Sequence, residues 1–238
     1  MGFVTENLAE TQERISEACR KSGRRREDVT LVAVSKTKPA ELIREAYEAG
    51  IRDFGENKPQ EMRDKSAVLP EDIRWHMIGN LQRNKVKYVI GRACLIHSIG
   101  SLELARTVDA QAAKLGIVAQ CLVEVNMAQE ASKGGICPED AEQFVRELSC
   151  LTHIRTEGLM TIAPFTENPE TNRVYFAALR NLAVDIAKKN IDNTRMCELS
   201  MGMTGDYQVA VEEGATLVRI GTGIFGARDR SEEHTSEL

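Results

Sequence analysis

Leu31-Val32-Ala33-Val34-Ser35-Lys36-Thr37-Lys38-Pro39 opens with four consecutive apolar residues, two of them β-branched. Polar residues and then proline follow this run, and the pattern predicts a short strand buried on both faces. Lys36 stands where the strand ends. A lysine at the mouth of a buried strand is partly desolvated, which favours the neutral amine that attacks a carbonyl to form a Schiff base. Two alternatives stay open: Lys36 is a solvated lysine in a loop, or Lys38 carries the same chemistry.

Working outward from this strand, the chain alternates between strand-like and helical segments. A leading helix is expected over 7–21. Eight strand-like segments follow, each succeeded by a helix or a helical turn: 31–35, 51–54, 73–78, 94–96, 117–125, 154–160, 197–199 and 216–220. Eight such units predict an α/β fold, a single (β/α)8 TIM barrel with an extra N-terminal helix. An open doubly wound sheet is the alternative.

Composition limits the classes of function. The 238 residues are 42% hydrophobic and carry a formal net charge of −5, without an extended basic face, so nucleic acid is not expected as a partner. No apolar run reaches membrane-spanning length. The six cysteines lie far apart with no C-x-x-C pair, which is typical of reduced, mostly buried thiols in a cytoplasmic protein.

The C-terminal segment 230–238 is treated separately. It resembles a translated sequencing adapter, so we expect a non-native tail there and one domain over 1–229. The native sequence after about Arg228 would then be missing.

The residues that follow the predicted strands are the candidates for chemistry, because barrels place their sites at the carboxyl ends of strands. They include Lys36, Glu56-Asn57, His76 to Gly79, His97-Ser98, Met160-Thr161, Ser200 to Met203 and Arg219 to Gly223. In the last two segments, glycines stand beside small hydroxyl residues, as in loops that hold phosphate through backbone N–H groups. Tight turns are the structural alternative for either loop alone. The G-x-G-x-x-G match at 221–226 lacks the second strand and the acidic residue of a dinucleotide site, so NAD is not expected as a ligand.

An imine-forming lysine and a phosphate site at one barrel mouth describe a pocket for pyridoxal 5'-phosphate (PLP). Arg219 supports this interpretation, because an arginine facing the pyridine nitrogen only donates and would keep that nitrogen unprotonated. An unprotonated ring is a weaker electron sink. A salt bridge to a nearby acid is the other use for Arg219.

Six ordered motifs carry a resemblance that spans nearly the whole chain: 34–38, 54–57, 76–85, 158–161, 199–203 and 218–222. Together they resemble the YggS/PROSC family of PLP homeostasis proteins, whose fold is similar to the alanine racemase barrel. The resemblance implies that Lys36 carries the Schiff base, that Ser200, Gly221 and Thr222 hold the phosphate, and that Arg219 faces the ring nitrogen. Asn57 would line the pocket. The full expected cofactor-binding set is Lys36, Asn57, His76, Ser200, Met201, Arg219, Gly221 and Thr222.

One assigned residue has an alternative role, and one position departs from the family pattern. His76 also fits a hydrogen-bonded core histidine. Lys58-Pro59 stands where the family usually has an aromatic residue, so packing beside the cofactor is expected to differ.

The resemblance implies a PLP carrier without substantial catalysis, which buffers PLP or delivers it to apoenzymes. A single exposed barrel is expected to be a monomer, and the cysteine pattern predicts a cytoplasmic protein. A PLP-dependent racemase or decarboxylase is the alternative, and a lysine-dependent aldolase is a third. Racemisation needs a base on each face of the substrate, and in the related racemases one of them is a tyrosine from an added domain. The four tyrosines of this chain all fall in predicted helices. An aldolase would need Lys38 or Glu56 beside the imine. We also expect Lys133, in the loop after the fifth strand, to affect release of the cofactor.

Overall fold

A computed structural model describes residues 2–130 and 134–227 of the chain. Lys133 and the expected tail 230–238 lie outside these ranges. The described residues form eight strands and a helical layer around them. The strands are β1 Thr30–Val34, β2 Asp53–Glu56, β3 Arg74–Met77, β4 Ala93–Ile99, β5 Ala119–Glu124, β6 Ile154–Met160, β7 Thr194–Met203 and β8 Leu217–Ile220.

The strands close into a barrel in sequence order, with β8 paired to β1 and every neighbouring pair parallel. This confirms the predicted (β/α)8 fold. The α-helices of the described chain are α1 Phe3–Lys21, α2 Ala40–Glu48, α3 Pro59–Ser66, α4 Leu102–Leu115, α5 Ala141–Ser149, α6 Arg173–Ala187, α7 Tyr207–Glu212 and α8 Thr222–Phe225. A 3-10 helix, Arg83–Tyr88, connects β3 to β4.

Strand β1 shows why the opening stretch is apolar throughout. Val32 packs in an apolar layer inside the barrel, whereas Leu31 and Ala33 belong to the layer between the barrel and its helices. Alternate residues therefore enter two different apolar environments, and both faces of the strand are buried. The inner layer consists of Val32, Leu95, Leu122, Met160 and Leu217.

Several helix ends follow from local sequence signals. Ser101 caps α4, because its Oγ accepts a hydrogen bond from the Leu104 amide at 3.2 Å. Gly116 ends the same helix in the left-handed conformation, with φ 64°. The leading helix α1 packs against α2, α7 and α8. None of the helices in 2–130 and 134–227 has the length and apolar character needed to cross a bilayer.

Three expectations about the chain need correction. The second and fourth strands, expected over 51–54 and 94–96, are Asp53–Glu56 and Ala93–Ile99, so Glu56, His97 and Ser98 lie within strands and not after them. The seventh strand, expected over 197–199, is Thr194–Met203, so its carboxyl end lies four residues later. The thiols are also less buried than expected: Cys19 and Cys121 are buried, Cys94 is partly exposed, and Cys137, Cys150 and Cys197 are exposed.

Gly158 on β6 allows the closest approach to β7. A Cβ at this position would overlap the backbone carbonyl of Glu198. We expect Gly158→Ala to lower the free energy of unfolding by about 1–3 kcal/mol, because one of the two strands must shift. Gly205→Ala is the matched control, since its Cβ would meet nothing within 4 Å. Urea unfolding curves measure both, and equal midpoints would contradict the expected crowding at Gly158.

Candidate functional site

A cavity of about 530 Å³ opens at the carboxyl ends of the strands. Five of the expected site residues line it: Lys36, Asn57, Arg219, Gly221 and Thr222. The loop after β6 and the loop after β7 complete its wall. Its titratable side chains within the described chain are Lys36, Asp206 and Arg219. The cavity therefore combines one amine and one guanidinium with backbone and hydroxyl groups.

The turn that carries Lys36 is held from below by α3. Lys65 Nζ donates to the Ser35 carbonyl at 2.8 Å, and Glu61 Oε2 accepts from the Thr37 amide at 2.9 Å. Lys65 Nζ also contacts Glu61 Oε2 at 3.1 Å, which joins the two anchors. Thr37 has φ 61°, an uncommon conformation for a β-branched residue. The backbone on both sides of Lys36 is thus fixed, and its half-buried side chain lines the cavity.

Lys38 has a different place. Its Nζ donates to the carbonyl oxygens of Gly226 at 3.3 Å and Ala227 at 3.1 Å. It does not line the cavity. Of the two lysines left open by the sequence, Lys36 is therefore the one presented to a ligand.

Glu56 faces away from the cavity, towards α3. Its Oε1 accepts from Ser35 Oγ and from Lys65 Nζ, both at 2.7 Å, and its side chain is fully buried. Burial raises the pKa of Glu56, and the positive charge of Lys65 opposes that shift. Oε2 finds no hydrogen-bond partner among the described residues. Glu56 thus supports the lysine turn and is not placed as an acid beside an imine on Lys36.

Hydroxyl groups from two loops meet at one end of the cavity. Thr222 Oγ1 lies 3.2 Å from Thr204 Oγ1, which also accepts from the Gly223 amide at 3.4 Å. The backbone passes close to β1 here, since a Cβ on Gly221 would lie 3.3 Å from Val34 Cβ. Small residues and donor groups at one end of a cavity are suited to an anion such as phosphate.

Asp206 braces the loop after β7. Its Oδ1 accepts from the Met203 amide at 2.7 Å, and its Oδ2 accepts from Asn172 Nδ2 at 2.8 Å. Asn172 in turn donates to the Pro164 carbonyl at 3.0 Å, so the loops after β6 and β7 are tied together. Both side chains are almost fully buried. Asp206 is therefore committed to loop structure.

Arg219 lies at the floor of the cavity and is 4% exposed. Its Nη1 donates to Ser200 Oγ at 2.5 Å, and its Nη2 donates to the Thr161 carbonyl at 2.9 Å. Burial lowers the pKa of Arg219 to about 10, although the negative charges of Asp206 and Glu124 oppose the change. The guanidinium is thus charged at neutral pH and held in a fixed orientation.

The remaining expected residues do not line the cavity. Ser200 lies beneath the cavity and accepts a hydrogen bond from Arg219. Met201 is buried in the layer between the barrel and the helices. His76 is deeper in the barrel, where its two ring nitrogens contact His97 and Asp53. Thr204 was not anticipated from the sequence. The polar segment Thr204-Gly205-Asp206 could have indicated it. That segment is recognisable as the loop after β7 only when the strand is known to reach Met203.

A larger open cavity of about 1150 Å³ lies next to the lysine cavity and shares Asn57, Ile78 and Ile162 with it. The residues after β3, from Gly79 to Asn84, form much of its wall. Arg83 is its one lysine or arginine among the described lining residues. Without an amine beside a hydroxyl-rich end, it offers a weaker site for an aldehyde or a phosphate than the lysine cavity does.

Comparisons with known proteins identify similar chains. The family model "Alanine racemase, N-terminal domain" matches residues 7–229. A pyridoxal phosphate homeostasis protein of Aquifex aeolicus is 44% identical over 224 residues, which is 94% of this chain and 97% of the relative.

Solved structures agree with this similarity. PipY of Synechococcus elongatus, with PLP bound, superposes with a TM-score of 0.80 at 37% identity, covering 94% of this chain and 100% of that one. An alanine racemase of Clostridium difficile has a TM-score of 0.74 at 15% identity and covers 95% of this chain and 58% of its own, which shows a shared barrel fold alone.

Proposed function

This chain belongs to the family of pyridoxal phosphate homeostasis proteins, and we propose that it binds PLP as a Schiff base on Lys36 and buffers or delivers the cofactor. The observation that supports this most directly is the lysine cavity itself. It brings Lys36, Arg219 and the Thr204–Thr222 hydroxyl pair to one open cavity of about 530 Å³. That volume is in the range of small-molecule pockets.

The residues present fit the groups that PLP carries. PLP supplies an aldehyde that forms an imine with an amine, and Lys36 is the amine in the cavity. Its phosphate needs donors in a space without bulky side chains, and Gly221, Gly223 and the two threonine hydroxyls meet that need. A side chain on Gly223 would crowd Ile220 and Thr204 at 3.1 Å.

We further propose that the chain has no substantial catalytic activity of its own. A guanidinium at the ring nitrogen would keep that nitrogen unprotonated, because Arg219 only donates and stays charged. Two-base chemistry would also need a second titratable group above the ring. Asp206 is the other candidate on the described cavity wall, and both of its oxygens are engaged by Met203 and Asn172. A PLP-dependent racemase or decarboxylase is the alternative.

Delivery to apoenzymes, a monomeric state and a cytoplasmic location belong to the same proposal. An exposed mouth supports delivery: Phe165 lines the cavity and is 96% exposed, and Met203 beside it is 39% exposed. Apolar side chains at the mouth suit a brief contact with a recipient protein.

The test is the visible absorbance of the purified protein after incubation with PLP, with and without borohydride. A yellow band that reduction converts to a pyridoxyl group on the Lys36 peptide is expected, followed by transfer of unreduced PLP to an apoenzyme. Racemisation or decarboxylation of amino acids with a kcat of about 1 per second or more would instead support a PLP-dependent racemase or decarboxylase. A protein that stays colourless and unmodified would refute PLP binding.

Gly79 provides a prediction about the shape of the cavity. A Cβ on Gly79 would overlap the backbone of Asn57, which lines the cavity. We expect Gly79→Ala to move Asn57 and to raise the dissociation constant for PLP about tenfold, or ~1.4 kcal/mol. Equilibrium dialysis measures the change. Gly134→Ala, on the rim of the neighbouring cavity, is the control, because its Cβ would meet no atom closer than 3.6 Å. It should leave the constant within about twofold, and equal constants for the two variants would contradict the prediction.

A further inference from the structure

A row of polar side chains runs down the inside of the barrel from the floor of the lysine cavity. We call it the axial network, and its members in order are Arg219, Ser200, His97, His76, Asp53 and Arg74. The first five are at most 7% exposed. Arg74, the first residue of β3, has a side chain that is 58% exposed. The network therefore links the cavity to solvent at the opposite end of the barrel.

The contacts along the axial network are continuous. Below the Arg219–Ser200 bond, Ser200 Oγ lies 2.8 Å from His97 Nδ1. His97 Nε2 lies 2.9 Å from His76 Nδ1, with the two rings edge to face. His76 Nε2 lies 2.9 Å from Asp53 Oδ1. That carboxylate also accepts from Arg74 Nε at 2.8 Å. Both nitrogens of each imidazole are used within the network, so a proton placed on one ring fixes the arrangement on the next.

Two proton arrangements satisfy these contacts. In the first, His76 is an imidazolium: it donates to Asp53 and to His97 Nε2, and His97 Nδ1–H donates to Ser200. In the second, His76 is neutral and keeps its proton towards Asp53. His97 then donates from Nε2 to His76 and accepts from the Ser200 hydroxyl at Nδ1. The two arrangements differ by one proton on His76 and by the direction of two hydrogen bonds.

The charges around the histidines determine which arrangement holds at neutral pH. Burial lowers the pKa of His76, but hydrogen bonds to Asp53 and Cys94, together with the negative charge of Asp53, raise it to about 9. Burial, together with the positive charges of His76 and Arg219, lowers the pKa of His97. Asp53 also faces Arg74, and its pKa stays below the ordinary value because hydrogen bonds from His76 and Arg74 outweigh its burial. The first arrangement is thus expected at pH 7 and the second above pH 9.

We propose that His97 and His76 are positioning residues for Arg219, and that gain or loss of the His76 proton changes how firmly Ser200 holds the guanidinium. In the first arrangement Ser200 Oγ receives two donors, from His97 and Arg219. In the second its hydroxyl donates to His97, which makes the oxygen a stronger acceptor for Arg219. Loss of the proton also removes a positive charge from the barrel interior. The reach of this effect to bound PLP rests on the proposed function.

The first test uses the ligand-free protein labelled with ¹⁵N. The chain has four histidines, so single substitutions assign their ring resonances. We expect His76 to lose its proton with a midpoint near 9, His97 to stay neutral and change tautomer at the same midpoint, and the Arg219 guanidinium resonances to shift with them. Asp53→Asn should lower the common midpoint by about two pH units or more, because burial then acts without the carboxylate. His153→Gln, outside the network, should change none of these.

Ser200→Ala separates coupling from packing. The methyl group keeps most of the side-chain volume, so His76 should titrate near its wild-type midpoint while the Arg219 resonances no longer follow it. This variant also keeps the proposal testable if Asp53→Asn fails to fold. Arg219 resonances that ignore the His76 midpoint in the wild type, or that in Ser200→Ala still show a step at that midpoint separate from the guanidinium's own titration near 10, would overturn the proposal.

The second test uses the protein loaded with PLP. The visible absorbance maximum is expected to shift between pH 6 and 10 with the His76 midpoint, and Ser200→Ala should remove that shift. A band independent of pH across the midpoint would refute the coupling to the cofactor while leaving PLP binding intact. Absence of any band would refute PLP binding, and the ligand-free measurements would still decide whether the histidines position Arg219.

Discussion

Lys36→Ala is expected to abolish the visible imine band of the PLP-loaded protein and to weaken PLP binding by about 100-fold or more, roughly 2.7 kcal/mol. The covalent bond disappears, and the guanidinium and hydroxyl groups of the cavity hold PLP by non-covalent contacts alone. Lys38→Ala is the matched control in the same turn. Because Lys38 donates to the carbonyls of Gly226 and Ala227 and does not line the cavity, its removal should leave the band in place.

Absorbance titration with PLP measures the affinity, and borohydride reduction with peptide mapping identifies the modified lysine. Urea unfolding curves of both variants show whether the loss of binding is accompanied by a loss of stability. The loss of binding would then be separable from unfolding. An intact band in Lys36→Ala would refute the assignment to Lys36, and its loss in Lys38→Ala as well would show that the roles of the two lysines are reversed.

The first strand shows how much of the fold the sequence reveals. Its apolar residues predict 31–35 and the structure has β1 at Thr30–Val34, because burial on both faces leaves a continuous apolar run. Helix α4 was equally readable: Ser101 and Gly116 are chemically suited to their terminal positions and need no tertiary information. Signals of this kind depend on a few adjacent residues.

The seventh strand shows where such signals end. Glu198 and Gly202 interrupt the apolar pattern, so the sequence predicts a short strand followed by a loop. The structure continues the strand to Met203, with an irregular register to β8 between Ser200 and Met203. Gly202, with φ 91°, passes so close to α7 that a Cβ would meet Ala210 Cβ at 2.5 Å. The glycine and a helix after it are both expected from the sequence, but their close approach is not.

The candidate site also contains residues that local sequence signals place correctly and residues that depend on tertiary packing. Lys36, Asn57, Arg219, Gly221 and Thr222 line the cavity because each lies at or near the carboxyl end of β1, β2 or β8, and the sequence places those three ends to within two residues. The direction in which a side chain points is harder to infer. Ser200 and His76 point into the barrel, where one residue of register decides between cavity, interior and outer layer. His97, on β4, contacts both of them, and this contact can be inferred only once the barrel is closed.

Lys65→Met is expected to lower the free energy of unfolding by about 3–5 kcal/mol at neutral pH. The substitution leaves the buried carboxylate of Glu56 without its cation, and it releases the carbonyl of Ser35 and the anchor to Glu61 beside the lysine turn. Chemical unfolding monitored by circular dichroism measures the loss. Lys188→Met, which removes an exposed ion pair with Asp185, is the control and should change stability by less than about 1 kcal/mol.

The pH dependence of the Lys65→Met variant tests the cause. Burial already raises the pKa of Glu56, and removing the positive charge of Lys65 raises it further. A carboxyl whose pKa is higher in the folded state than in the unfolded state destabilises the fold increasingly as pH rises above the unfolded value. The loss in Lys65→Met should therefore be smaller near pH 4.5 than at pH 7.5. Adding Glu56→Gln removes the unpaired charge and should recover more than half of the lost stability at pH 7.5. A loss that is independent of pH, and that Glu56→Gln does not relieve, would show that Lys65 stabilises the lysine turn through its packing and not through the buried charge.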